Sequence, residues 1–484
     1  MHKLVALSLT ATLSLFAGRV LAGPIDTLAP GHWYEIPNSK LRAIDPCPAR
    51  NCGYSGVSGI AGIMEAWSGG GYDTARDRLI VWGGGHRDYG GNELYAFDLN
   101  ALAWSRLTDP TPTPPDNVPY AAPGIPSSSH TYNSVQYVPS IDSFCGFGVN
   151  AMWGIGNSDP APTNCFSFQT NKWRRMVDTT SGGLGTITAV DESTGFMWGK
   201  GTGYTPSYQA ATALAWLDAA ANTYNVKPGD NSDLAYDYYL TAAIDPVSKT
   251  MVAVGAGAAW AWNLNTGART TLVTTGPKDI EAAINPGLAW DSSVKRLVGW
   301  KGGSEVFTLD LPTKTWTKVA AAGTVVPTTA QEKGTFGRFR YSPAKNVYVL
   351  VNSVDDNVFV YRLSNGTGVP QPPPPPPGTP PSPPPATAAD AGMPPAPPAA
   401  DGGVSGVADA GSPDATTGGG PVDAGAGGGG SSGGDAGDGA GPGVVLACGV
   451  APGSAKSSLG MVAVFGLACA AFFTRRRTTR KGER

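Results

Sequence analysis

Charge is scarce in this chain. Lys, Arg, Asp and Glu make up 15% of its 484 residues, against about a quarter in ordinary globular domains. Neither sign dominates, because the formal net charge is -3. Without a basic field there is no electrostatic footprint for nucleic acid, and that class of partner is excluded. Histidine is nearly absent, with 4 in the whole sequence, so a site that needs imidazole has few places to come from. The 6 cysteines include no Cys-x-x-Cys pair and have no histidine close by, which leaves a structural zinc site without its usual ligands.

What is abundant is Gly and Pro, at 66 and 43 residues, much of it gathered in one tail. Residues 1–22 have His2 and Lys3, an apolar stretch from Leu4 to Ala17, and Val20-Leu21-Ala22 as a small-residue cleavage site. This reads as a secretory signal peptide, with a retained N-terminal anchor helix as the alternative. Export permits disulfides. Cys47 and Cys52 are spaced for a local bridge, and Cys145 and Cys165 lie on what should be neighbouring strands, so both pairs are expected to be oxidised.

The organising unit is the stretch from Asp77 to Arg106. Leu79 to Trp82 form a short apolar run that reads as a buried strand, and Gly83 to Gly85 turn the chain. Glu93 to Leu99 then carry a period-2 pattern, Asp98 to Asn100 supply hairpin chemistry, and Trp104 follows. A glycine doublet closing one strand, then Tyr95, then Trp104 across a hairpin, resembles the kelch repeat. The resemblance implies blades of a β-propeller, which cannot bury both faces alone and so come in rings.

The pattern recurs. Blade two covers Thr131 to Asp178, with Phe144 to Val149, Cys165 to Phe168 and Trp173. Blade three, from Gly185 to Pro228, is weaker, with Gly195 to Gly199, Ala213 to Leu217 and Tyr224. Blade four carries Met251 to Gly255 and Ala259 to Leu264, and blade five carries Arg296 to Trp300, Glu305 to Leu309 and Trp316. Asp245 and Asp291 each stand just before a strand as hairpin residues. The last blade shows three strands, Gly337 to Tyr341, Val347 to Val351 and Asn357 to Leu363. Its fourth is expected from Gly31 to Pro37, with Trp33, pairing head to tail and closing the ring. The fold class is therefore all-β, a six-bladed kelch-type β-propeller over residues 23–365. Seven blades is the alternative, because the segment Pro110 to Ser129 is long.

Residues 366–447 are a Pro-, Gly-, Ala- and Asp-rich linker with almost no aromatic side chains, expected to be disordered. Residues 448–484 hold Cys448, an apolar run over 459–473 and a basic tail over 475–484. This reads as one transmembrane helix with the propeller outside. Cys, short hydrophobic helix and terminal Arg cluster together resemble the C-terminal sorting tails of myxobacterial and related surface proteins. That resemblance implies processing, with Cys448 as a lipid attachment point; a plain anchor with an inert Cys448 is the alternative.

In a propeller the loops leading into the inner strands share one face with those joining second and third strands, and ligands bind there. That face should carry His86, Arg87, Tyr89 and Asn92 from blade one, and His130, Tyr132 and Asn133 from blade two. Tyr236 and Tyr238 lead into blade four, Lys301 and Asn352 fall in second-to-third loops, and Arg338 and Arg340 lie on the inner strand of blade six. Histidines, tyrosines and an arginine on one rim suit binding of a uronate polysaccharide and its cleavage by β-elimination. Arg338 or Asn133 would neutralise the sugar carboxylate, His86 or His130 would take the proton, and Tyr236 or Tyr238 would protonate the leaving oxygen. The alternative is a non-catalytic adhesion or protein-interaction module.

Kelch propellers also include copper radical oxidases resembling galactose oxidase. That family binds copper through two Tyr and two His, one Tyr being joined to a Cys, and no Tyr-His dipeptide occurs here. A metal held by His86, His130 and Asp88 is possible on ligand types, but no cofactor is called for. The expectation is a monomer, exported and held at the cell surface, whose partners are an extracellular polysaccharide or cell-surface protein and, through the tail, the membrane.

Overall fold

A computed structural model describes residues 23–149, 152–154, 162–179, 185–201, 213–229 and 239–369. All lie in the first of two units, Met1–Met393 and Pro394–Arg484. The signal peptide, the linker beyond residue 369, Cys448 and the apolar run 459–473 fall outside them. Among the described residues no helix is long and apolar enough to cross a membrane.

The described strands form six four-stranded antiparallel sheets and one two-stranded hairpin. Blade one is Gly70–Asp73, Arg78–Val81, Tyr95–Asp98 and Ala103–Arg106. The other inner strands are Val135–Val138, Ile187–Asp191, Thr241–Asp245, Gly287–Asp291 and Phe339–Ser342. The ring closes as the sequence predicts. His32–Ile36 pairs antiparallel with Val358–Arg362, in register from His32 with Arg362 to Ile36 with Val358. Trp33 fastens this strand, stacking on Tyr361 at 4.9 Å and donating its indole N–H to the Ser304 carbonyl at 2.7 Å. The fold is a six-bladed β-propeller. The long segment after blade one is only a hairpin, Tyr120–Ala122 against Ile125–Pro126, so it supplies no seventh blade.

The core lies between blades. One cluster joins Leu79, Val81 and Phe97 of blade one to Val347, Val349 and Val360 of blade six, and another joins Ile80, Trp82 and Ala96 to Val135, Phe144 and Phe166 of blade two. The period-2 reading of Tyr95–Asp98 therefore needs a correction. Ala96 faces one neighbouring blade and Phe97 the other, so both faces of the strand are apolar. A sheet sandwiched between two sheets has no wet face.

Four of the six sheets turn at their inner hairpin in a similar way. The carboxylates of Asp73, Asp191, Asp245 and Asp291 accept the backbone N–H of Ala75, Ser193, Val247 and Ser293 at 2.8 to 3.1 Å. These are Asx-type turns, which Asp favours because its side chain replaces a backbone acceptor. Both cysteine pairs, Cys47–Cys52 and Cys145–Cys165, are disulfides. The second joins residues directly opposite one another on neighbouring strands of blade two.

At the opposite end, the chain leads into several inner strands through a residue in the left-handed region. Trp67, Tyr132, Asn285 and Phe336 have φ of 47°, 45°, 45° and 49°. The Tyr132 N–H donates to the Trp67 carbonyl at 2.6 Å, and the Phe336 N–H to that of Asn285 at 3.2 Å. Such a conformation costs roughly 1–3 kcal/mol for a residue with a side chain. Here it brings the rings of Tyr132 and Phe336 together, 6.0 Å apart, with Trp67 packed beside them. Gly69 is required beside Tyr132, whose carbonyl oxygen would lie 2.1 Å from a Cβ there.

Candidate functional site

Gly84 has φ 133°, and a Cβ on it would meet the Tyr89 carbonyl at 2.4 Å; only glycine allows the tight reversal after blade one's second strand. His86 and Arg87 follow, also left-handed, at φ 38° and 68°. The loop is then pinned from outside. The Val57 N–H donates to the Arg87 carbonyl at 2.8 Å, and the Ser58 N–H to that of Asp88 at 2.9 Å.

The turn delivers His86 against His130 of the next blade, with ring centroids 4.4 Å apart and planes at 52°. His130 is buried, 2% exposed. Its Nε2 lies 3.0 Å from Asp88 Oδ2, and Asp88 Oδ1 accepts the Ser58 hydroxyl at 3.2 Å. A carboxylate can only accept from this ring, so Nε2 carries the proton and Nδ1 the lone pair. Trp67 lies over His130 at 5.1 Å, Tyr132 meets it edge-on at 6.1 Å, and Lys333 Nζ stands 5.0 Å over Trp67.

Burial is the main force on both histidines. It holds the His86 imidazole down to about 4, with the neighbouring His130 adding to the effect and Asp88 opposing it. Burial also holds His130 below the usual histidine range, against the hydrogen bond and charge of Asp88. Both rings are neutral at pH 7. His86 Nε2 is buried and has no hydrogen-bond partner among the described residues, and a buried polar atom left unpaired costs about 1–3 kcal/mol. Nε2 of His130 is turned onto Asp88, so the two residues bond each other instead of converging with His86 on a metal. Among the described residues no three His, Cys, Asp or Glu make such a group.

The other expected site residues divide sharply. Arg87 is exposed beside them and pairs with Asp116. Arg338 is in the short turn Phe336–Arg338 ahead of the inner strand, not on it. Its side chain is fully buried, and its five N–H groups go to the carbonyls of Ser68, Val351, Asn352, Met64 and Gly334 at 2.5 to 3.0 Å. No donor is left for a sugar carboxylate, and burial brings the guanidinium down to about 9.

Tyr89 is also enclosed, donating to Glu93 Oε1 at 2.5 Å. Asn92 joins Pro126 and Thr111 at 2.8 and 2.9 Å, and Asn352 holds Thr328 and Thr329 at 2.7 and 2.6 Å. Asn133 Oδ1 accepts the N–H of Thr188 and of Ala242 at 3.2 and 2.9 Å, tying three blades together. Lys301 stands over Phe307 at 5.9 Å, in blade five. Tyr236 and Tyr238 lie outside the described residues.

Two members escaped the sequence reading. Trp67 had a signal, since it precedes an inner strand as Tyr132 does. Lys333 had none, because its place over Trp67 depends on blade six meeting blade one.

No protein-family description matches this chain, and no curated protein matches it. Among solved structures it is similar to a structural genomics protein of unknown function from Bacteroides thetaiotaomicron VPI-5482, at 9% identity and a TM-score of 0.39. The match covers 68% of this chain and 75% of that one. At that score the likeness adds nothing to the fold described above.

Proposed function

We propose that this protein is an exported kelch-type propeller, held at the cell surface by its C-terminal tail, that binds an acidic, uronate-containing polysaccharide. The site is the rim around His86 and His130. The observation that carries the reading is the unpartnered, buried Nε2 of His86 beside the Asp88–His130 pair, under an aromatic wall. Trp67 and Tyr132 supply the aromatic surroundings, and Lys333 over Trp67 offers a cation for a carboxylate. The pair Lys333 makes with Glu332 at 2.9 Å is at the surface and yields readily to a better-placed anion.

The same site supports eliminative cleavage as its second reading, favoured by the neutral state of His86. Nε2 of His86 would take the proton α to the carboxylate. The β C–O bond then breaks, and its oxygen takes a proton from the Tyr236 or Tyr238 hydroxyl. Lys333 replaces Arg338 as the group that steadies the developing negative charge.

The experiment is to titrate the full-length protein with uronate polymers and with neutral polymers of matching linkage, following binding and the ultraviolet absorbance of unsaturated uronate. Binding to the acidic polymers alone, weakened by His86→Ala and by Lys333→Ala, supports the recognition site. A rise in absorbance that His86→Ala abolishes adds the lyase. Binding to neither polymer by the folded protein overturns the proposal and leaves an adhesion or protein-interaction module.

A further inference from the structure

The propeller axis holds a second site, at the end away from His86. A cavity of about 90 Å³ opens there, its lining including Tyr72, Tyr137, Ala243, Trp290, Arg340 and Tyr341. Glu192 and Thr74 border it from the hairpins just beyond the inner strands, which places its mouth on the face opposite the histidines. Space of this size takes several waters or a small organic molecule.

Arg340 is its one guanidinium. Nε donates to the Gly337 carbonyl at 3.0 Å, and Nη2 to the Gly70 carbonyl and to Gln136 Oε1, both at 2.9 Å. Gln136 is itself fixed, its Nε2 donating to Thr188. Nη1 takes no hydrogen bond among the described residues, and the surface that Arg340 keeps opens on the cavity. No carboxylate among the described residues pairs with it. Asp73, Asp191, Asp245 and Asp291 circle the same end but are folded into their own hairpins. Glu192 is exposed at the mouth. A buried cation without a counter-charge is costly, and the protein has positioned this one with three hydrogen bonds while leaving one nitrogen free.

The walls limit what can fill the gap. Tyr72 and Tyr137 have turned their hydroxyls to Asp77 and Asp142, and Tyr341 to Asn346, so they present ring carbon. Ala243, on the inner strand of blade four, belongs to the same lining. We infer that the lower end of the central channel binds a small monocarboxylate with a flat, largely apolar body, its carboxylate on Arg340 Nη1 and its body between the aromatic walls. This site is independent of the rim around His86.

Calorimetric titration of the full-length protein with benzoate, and with benzyl alcohol as the neutral counterpart, tests it. Benzoate should bind once and saturably, and benzyl alcohol should not. Arg340→Gln should weaken benzoate by about 10- to 100-fold, the worth of a hydrogen bond to a charged group, and Arg340→Lys should recover part of that. Ala243→Leu leaves the guanidinium in place and adds bulk to the lining, so it should also weaken binding, while His86→Ala should leave it unchanged. No benzoate binding by the folded protein overturns the inference. So does binding that survives both Arg340→Gln and Ala243→Leu, or binding that follows His86.

Discussion

His86 and His130 reach the same point from adjacent blades, their rings 4.4 Å apart, yet it is His130 that makes the hydrogen bond to Asp88, at 3.0 Å. The asymmetry assigns their parts. Asp88 holds His130 in one tautomer, and the ring of His130 packs against that of His86, whose buried Nε2 has no hydrogen-bond partner among the described residues. Removing His86 should therefore lower affinity for an acidic polymer by about tenfold or more with little loss of stability. Asp88→Asn should cost less affinity but should shift the pH at which binding fails, since it alters the pair without touching the ligand. Polymer titrations of the two variants across pH check this.

Acid should destabilise the protein through these rings. An unfolded histidine takes its proton near the ordinary value of 6.5, and folded His86 does so only at about 4. Between those values the unfolded chain binds more protons, so stability is full above about 6.5, falls as pH drops toward about 4, and levels off below. His130, also held low by burial, acts in the same direction. Thermal unfolding measured across this window should slope for the native protein and flatten for His86→Phe. An unchanged slope would place the acid sensitivity elsewhere.

Arg338 should behave as a structural residue. Replacing it with Met leaves carbonyls of Ser68, Met64, Val351, Asn352 and Gly334 without their donor. At about 1–3 kcal/mol for each buried group left unsatisfied, the loss should reach several kcal/mol. Arg87→Ala, which removes an exposed ion pair, should cost about 1 kcal/mol or less. Urea unfolding of the two variants gives the comparison.

The two disulfides should differ in value. Cys145 and Cys165 are 20 positions apart and Cys47 and Cys52 are 5 apart. Loop-closure entropy then predicts about 3 kcal/mol for the first and about 2 for the second. Paired Cys→Ala variants, unfolded thermally without reductant, should rank in that order.

Closure of the ring should be a separate weak point. Trp33 is buried, stacked on Tyr361 and bonded to Ser304, and Trp33→Ala should cost about 3–5 kcal/mol. Limited proteolysis should then cut first near His32–Ile36, whereas cutting elsewhere would show that the closing strand is not the latch.

Much of the architecture was readable because it is local. Apolar runs such as Leu79 to Val81 and Leu297 to Trp300 mark strands by composition alone, and Asp245 and Asp291 mark hairpins through side-chain bonds only a few residues long. Even the closing strand could be placed, since a blade lacking its fourth strand demands one from the other terminus. The number of blades was harder, because a loop with a hairpin, Tyr120 to Pro126, resembles part of a blade until its lack of partners is seen.

The chemistry was only half readable. That His86 and His130 share a face follows from their places in the repeat. That Arg338 sinks into backbone carbonyls while Arg340, two positions on, opens into the channel follows from nothing local, since both are arginines beside aromatic residues. Spacing of apolar residues determined the strands, their order and the ring, because those depend on backbone geometry and period. Only the tertiary structure decided which polar side chains were saturated and which were left free, because that depends on carbonyls and rings brought together from opposite ends of the chain.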